Sequence, residues 1–146
     1  MKQLMFNEKY PIFTIEISKS ETKFKNINEI FEFLKQKIDA HPIATFISIF
    51  DHFTHTKKFN DSVIANGIID AKNIIFCFGK EIPTSKILAV RPRSIGVCEF
   101  DDRFDISILE VPNENLHKVV ENWIKDIANT WFNQIETKAN RILKLI

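Results

Sequence analysis

The densest cluster of groups able to move a proton or hold a metal is Asp51-His52-Phe53-Thr54-His55, placed where an apolar run gives way to polar residues. His52 and His55 stand three apart, so on a helical turn both imidazoles share a face and can pair an acid with a base or ligate a metal. A metal would need a third ligand, which Asp51, His41, Cys77 or Cys98 supplies only where the fold brings them close. HxxH lacks the glutamate of HExxH, and the plainer reading is a capping Asp51 beside solvated histidines. The second cluster is basic. Gly79-Lys80 is followed by Lys86, Arg91 and Arg93, the one local basic excess, and guanidinium groups on a loop suit a carboxylate or phosphate. The alternative is a solvated loop partly paired with Glu81 and Glu99. It is no P-loop, because GxxxxGK[ST] needs glycine where Ile74 stands and serine or threonine where Glu81 stands. Cys77 between Phe76 and Phe78, and Cys98 between Val97 and Glu99, have no activating neighbour and read as buried, inert and reduced.

The elements that must position these groups follow from periodicity. Phe13, Ile15 and Ile17 alternate with Ile12, Thr14, Glu16 and Ser18, which predicts a first strand. Ile27, Ile30, Phe31, Leu34 and Ile38 recur at helical spacing after an Asn26 or Asn28 cap, and Pro42 stops that helix near Ala40. Ile43 to Phe50 predicts a second strand, more buried than the first, that ends at Asp51-His52. Phe53 to Ala71 reads as loop or short helix, long for a connection. Lys72 to Phe78 predicts a central strand ending at Gly79, where glycine frees the chain to turn. Lys80 to Ser94, with Pro83 and Pro92 around Ile87 to Val90, predicts loop with a turn of helix. Ile95 to Phe100 and Phe104 to Val111 flank Asp101-Asp102-Arg103 as a hairpin. From about residue 113, capped by Asn113, the stripe Leu116, Val120, Trp123, Ile127, Trp131, Ile135, Ala139 and Ile142 predicts a long C-terminal helix. Trp123 and Trp131 on that stripe are expected to be core or interface anchors, and the part beyond Phe132 is expected to reach another subunit. The fold class is α+β: a mainly antiparallel sheet of about five strands with helices packed on one face.

Composition bounds the function. A chain of 146 residues is one domain, 1–146, with enough core to fold without disulfides or a structural metal. Twenty Lys plus Arg against 19 Asp plus Glu leave a net charge of +1, so no overall electrostatic field argues for nucleic acid or a membrane surface. No apolar run reaches the roughly 18 residues of a membrane span, and Met1 to Tyr10 has no leader pattern, so a cytoplasmic protein is expected. The two cysteines are too few and too far apart for a disulfide framework or a CxxC motif.

The strand ending in Asp51-His52, the strand ending in Phe78-Gly79 with Pro83 after it, and the hairpin running into Pro112 resemble the bacterial family catalogued as domain of unknown function 302. The resemblance covers Phe46 to Val111 and implies a small dimeric α+β fold with no reaction attached. Where that family has Asn and Pro directly after Phe-Gly, this chain has Lys80-Glu81-Ile82 before Pro83. The residues by themselves favour a domain that binds a small anionic ligand between Asp51, His52 and His55 on one side and Lys80, Arg91 and Arg93 on the other. Two other readings stand beside it: an enzyme with His52 or His55 as general base or metal ligand, and a homodimeric interaction protein without ligand chemistry. No cofactor is named by any motif.

Overall fold

In chain order the elements are β1 (Lys2–Phe6), β2 (Tyr10–Ser18), α1 (Ile27–Ala40), β3 (Ala44–Asp51), α2 (His52–Lys57), β4 (Asp70–Phe78), β5 (Arg93–Glu99), β6 (Arg103–Leu109) and α3 (Glu114–Leu145). The structure is a computed structural model that describes residues 1–145, with the side chains of 129–141 and 144 left aside. Six strands form one sheet in the order β1-β2-β6-β5-β4-β3, every neighbouring pair antiparallel. The fold is α+β, with α1 and α3 packed against one face of the sheet.

Strand alternation decides which side chains meet the helices. Ile17 of β2, Ile74, Phe76 and Phe78 of β4, Ile95 and Val97 of β5, and Phe104, Ile106 and Ile108 of β6 are all buried, two residues apart along each strand. Ile27, Ile30, Phe31, Leu34 and Ile38 come from α1 to meet them, and Val120, Trp123, Ile124 and Ile127 come from α3. Trp123 stacks on Phe78 at 5.8 Å between centroids and stands edge-on to His41 at 5.9 Å, joining both helices to the sheet. Trp123 is thus the core anchor its spacing predicts, whereas the Trp131 expectation and the expected subunit crossing beyond Phe132 fall largely on side chains outside those described.

Helix ends follow the caps. Asn26 Oδ1 accepts from Glu29 N–H at 3.0 Å, and Glu29 reaches back to accept from Lys25 N–H at 2.6 Å. A second acceptor for α1 comes from the sheet: buried Glu99 accepts from Ile27 N–H at 3.2 Å and from Lys19 Nζ at 2.8 Å. Asn113 Oδ1 caps α3 through Leu116 N–H. Buried His117 accepts from Val111 N–H at Nδ1, which leaves its proton on Nε2, 2.8 Å from Glu121 Oε1.

Two expectations change. The sheet has six strands because Lys2–Phe6 pairs along β2, joined by a turn in which Asn7 and Glu8 hold positive φ of 50° and 59°. The strand ending at Asp51 is also not the more buried one. It is the sheet edge, with Ile47, Ile49 and Phe50 exposed. A bulge between Phe46 and Ser48 shifts its alternation, so the apolar run Phe46-Ile47-Ser48-Ile49-Phe50 divides between both faces and the rim.

Candidate functional site

The register of β3 on β4 decides which predicted site residues can meet. Asp51 lies opposite Lys72, and Ala44 lies opposite Phe78, the residue before Gly79-Lys80. Six residues of strand at ~3.3 Å each put the Asp51 end ~20 Å from the Lys80 end. Asp51, His52 and His55 therefore do not share a pocket with Lys80, Arg91 and Arg93, and each set has its own surroundings.

At the first end, Asp51 caps the short helix α2. Its carboxylate accepts from Thr54 N–H at 3.0 Å and from Thr54 Oγ1 at 2.9 Å, and the backbone bond above all holds its pKa below the ordinary carboxylate value. The two imidazoles share a face, as three-residue spacing requires, and what they share is Phe50: His52 stands edge-on to that ring at 4.3 Å and His55 lies tilted over it at 5.3 Å. His55 also meets Phe59 edge-on at 5.5 Å. Among the described residues no three of His, Cys, Asp and Glu converge as metal ligands.

At the second end, Gly79 holds φ of +100°, open to glycine and costly for other residues. A Cβ there would sit 2.7 Å from Arg91 Nη2, so the glycine also makes room for a guanidinium lying across it. Arg91 donates from Nη1 to the Glu81 carbonyl at 2.7 Å, which spans the loop from 81 to 91. Lys80 and Arg91 then line an open cavity of about 370 Å³ with Ile47, Cys77, Gly79, Glu81, Ile82, Leu88 and Pro92. Its floor belongs to the sheet face away from the helices, since Cys77 alternates with buried Phe76 and Phe78.

Arg93 takes no part in that cavity. It points to the helix side, only 9% exposed, and donates to the carbonyls of Val90 at 3.2 Å, Leu109 at 2.7 Å and Glu110 at 2.9 Å. Burial pushes its pKa down from the usual guanidinium range, yet arginine stays charged at neutral pH. Among the described residues no carboxylate pairs with it or with Arg91. A crevice of about 90 Å³ is lined by Arg91, Arg93 and Asn113 together with Phe78, Val111 and Leu116. The pairing expected for this loop is also different: Glu99 bonds Lys19 and α1, and Glu81 serves Arg91 through its backbone oxygen.

Both cysteines are half-buried and free of a disulfide. Burial, then the charges of Asp105 and Asp70, raises the Cys98 pKa and keeps the thiol protonated. Cys77 donates weakly to the Phe78 carbonyl at 3.5 Å. Residues that sequence reasoning left out of the site are its apolar walls, Ile47, Ile82, Leu88 and Pro92. A signal for three of them was present: apolar residues interleaved with Lys80, Lys86 and Arg91 in a segment with no regular period.

Comparison with known proteins corrects the resemblance to domain of unknown function 302. The family model that matches is the family of unknown function DUF6858, over residues 1–129. That span takes in β1, β2 and α1, which lie outside Phe46 to Val111. The features behind the earlier resemblance, a strand running into Asp51-His52 and a positive-φ glycine after Phe78, are what a capped turn and a tight strand exit require in any antiparallel sheet, so they do not separate families. No curated protein and no solved structure matches the chain. With nine-tenths of its length covered by one family model, the chain belongs to the family of unknown function DUF6858.

Proposed function

We propose that this domain binds a small amphipathic anion in the cavity between the end of β4 and the 79–92 loop. The observation that carries this reading is the placement of Lys80 and Arg91 on a cavity otherwise walled mainly by Ile47, Cys77, Ile82, Leu88 and Pro92. An apolar wall favours a hydrocarbon or ring, and two cations against the one carboxylate of Glu81 favour a carboxylate or phosphate head. Arg91 is held by Gly79 and by the Glu81 carbonyl, which orients the guanidinium before any ligand arrives. Asp51, His52 and His55 lie beyond reach of such a ligand. Of the loop cations first grouped with them, Arg93 acts as a brace on Val90, Leu109 and Glu110.

The test is calorimetric titration with octanoate and, separately, with inorganic phosphate, at low and high salt. Saturable octanoate binding that weakens with salt is the expected result, with at least a tenfold loss in Lys80→Glu/Arg91→Glu protein of unchanged circular dichroism. Binding that is absent in the wild type, or indifferent to the double charge reversal, would overturn the proposal.

A further inference from the structure

We infer that the sheet face turned away from the helices is a docking surface for a second copy of this chain. Side chains of one register row point to one side, and Leu4, Ile12 and Leu109 form such a row across β1, β2 and β6. Leu109 is 48% exposed and Leu4 39%, and Phe6 and Tyr10, paired in the next outward-facing row, are each more than half exposed. Ile75 and Cys77 continue the apolar side chains on this face across β4. A solvated face of an antiparallel sheet is ordinarily polar, so a stripe of this kind needs a partner.

Size and charge argue that the partner is the same face of another copy. Six strands ~4.8 Å apart, each about seven residues long at ~3.3 Å, give roughly 670 Å² on one copy and ~1,300 Å² for two, near the lower end of what a specific interface buries. The charged residues in the outward rows are Lys2, Glu16, Arg103 and Asp105, two of each sign, with Arg103 Nε already bonded to Asp105 Oδ1 at 3.0 Å. Strand rows without net charge do not repel their own copy, and they offer nothing to a strongly acidic or basic partner. Thr14, Ser94, Gly96 and Ser107 at its centre are small, so two such sheets can approach to the ~10 Å of face-to-face packing. The isologous contact of a two-fold dimer then lays one apolar stripe on the other. The inference is carried by the strand rows and not by the anion cavity, which meets the same face at Cys77.

Sedimentation velocity on the full chain from 1 to 100 µM tests it. The wild type is expected to sediment as a dimer, and Leu4→Asp/Leu109→Asp to weaken dimerisation at least 100-fold with circular dichroism unchanged. Leu109→Ser, a milder change at an exposed position, is expected to weaken it at least fivefold if the double variant fails to fold. Leu143→Asp on α3 and Ile49→Lys on the β3 edge are expected to leave it intact. A wild-type monomer at 100 µM would overturn the inference, as would a dimer that survives the sheet-face changes or is lost with either control.

Discussion

Gly79 shows how one residue can set the geometry of a site it contributes no group to. Its φ of +100° and the 2.7 Å approach of Arg91 Nη2 to the place of a Cβ are two separate objections to any side chain. Gly79→Ala is expected to cost about 1–2 kcal/mol from the left-handed backbone alone. It should also push the guanidinium off its seat, so octanoate binding should fall with Arg91 still present. Chemical denaturation and titration on the same sample check both, and a variant that is destabilised yet binds normally would separate the glycine from the site. Asp51 offers a pH-resolved counterpart. Its folded pKa is depressed by the Thr54 bonds, so its contribution is fully present above the ordinary carboxylate pKa and is lost as pH falls through the lower folded value. Asp51→Ala should therefore be less stable by about 1 kcal/mol at pH 7, with the gap to wild type shrinking below about pH 4. Urea midpoints of both proteins from pH 7 to pH 2.5 provide the measurement.

Elements with a dry and a wet side were legible in the sequence, and elements without one were not. The stripe Ile27, Ile30, Phe31, Leu34 and Ile38 gave α1 together with its Asn26 cap, and the Ile95–Phe100 and Phe104–Val111 runs gave the β5–β6 hairpin. By contrast β1 is exposed along its whole length, so no burial pattern marks it, and its turn uses Asn7-Glu8 where Asn-Gly would have announced a hairpin. The mistaken burial of β3 has a different origin: composition reports an apolar run, and only pairing geometry reveals the bulge and the edge. The site was half legible for the same reason. Charge identified Lys80 and Arg91, but whether Arg93 faces ligand or core is a matter of strand parity, and the distance from His52 to Lys80 is a matter of register. The turn itself is open to test. Glu8 holds φ of 59°, where glycine carries no Cβ penalty, so Glu8→Gly is expected to gain up to about 1 kcal/mol. A loss of stability would mean that Glu8 makes a contact outweighing its strained backbone, and thermal melts of the two proteins decide it.

At the scale of the whole molecule, the buried core lies on the helix side of the sheet, and the parts are tied together there by a few polar groups. Thr22 Oγ1 donates to the Ile127 carbonyl at 2.7 Å, fastening the segment before α1 to α3. Glu99 joins more distant parts: it sits on β5, accepts from the first residue of α1 and pairs with Lys19, which follows β2. It is 7% exposed, so its charge was taken out of water in exchange for these two bonds. Removing the carboxylate leaves the Ile27 N–H and the Lys19 ammonium without their acceptor, in a place where Lys19 still reaches some solvent. Glu99→Ala is accordingly expected to cost about 2–3 kcal/mol, and Glu99→Gln, which keeps an acceptor for Ile27 but not the charge for Lys19, about 1–2 kcal/mol. Because Glu99 faces the helices while Leu4 and Leu109 face the other way, neither change should alter self-association at matched folded fraction. Urea unfolding followed by tryptophan fluorescence and circular dichroism gives the stabilities, and sedimentation in buffer gives the second half. A Glu99→Ala protein as stable as the wild type would mean that α1 docks by its apolar face alone.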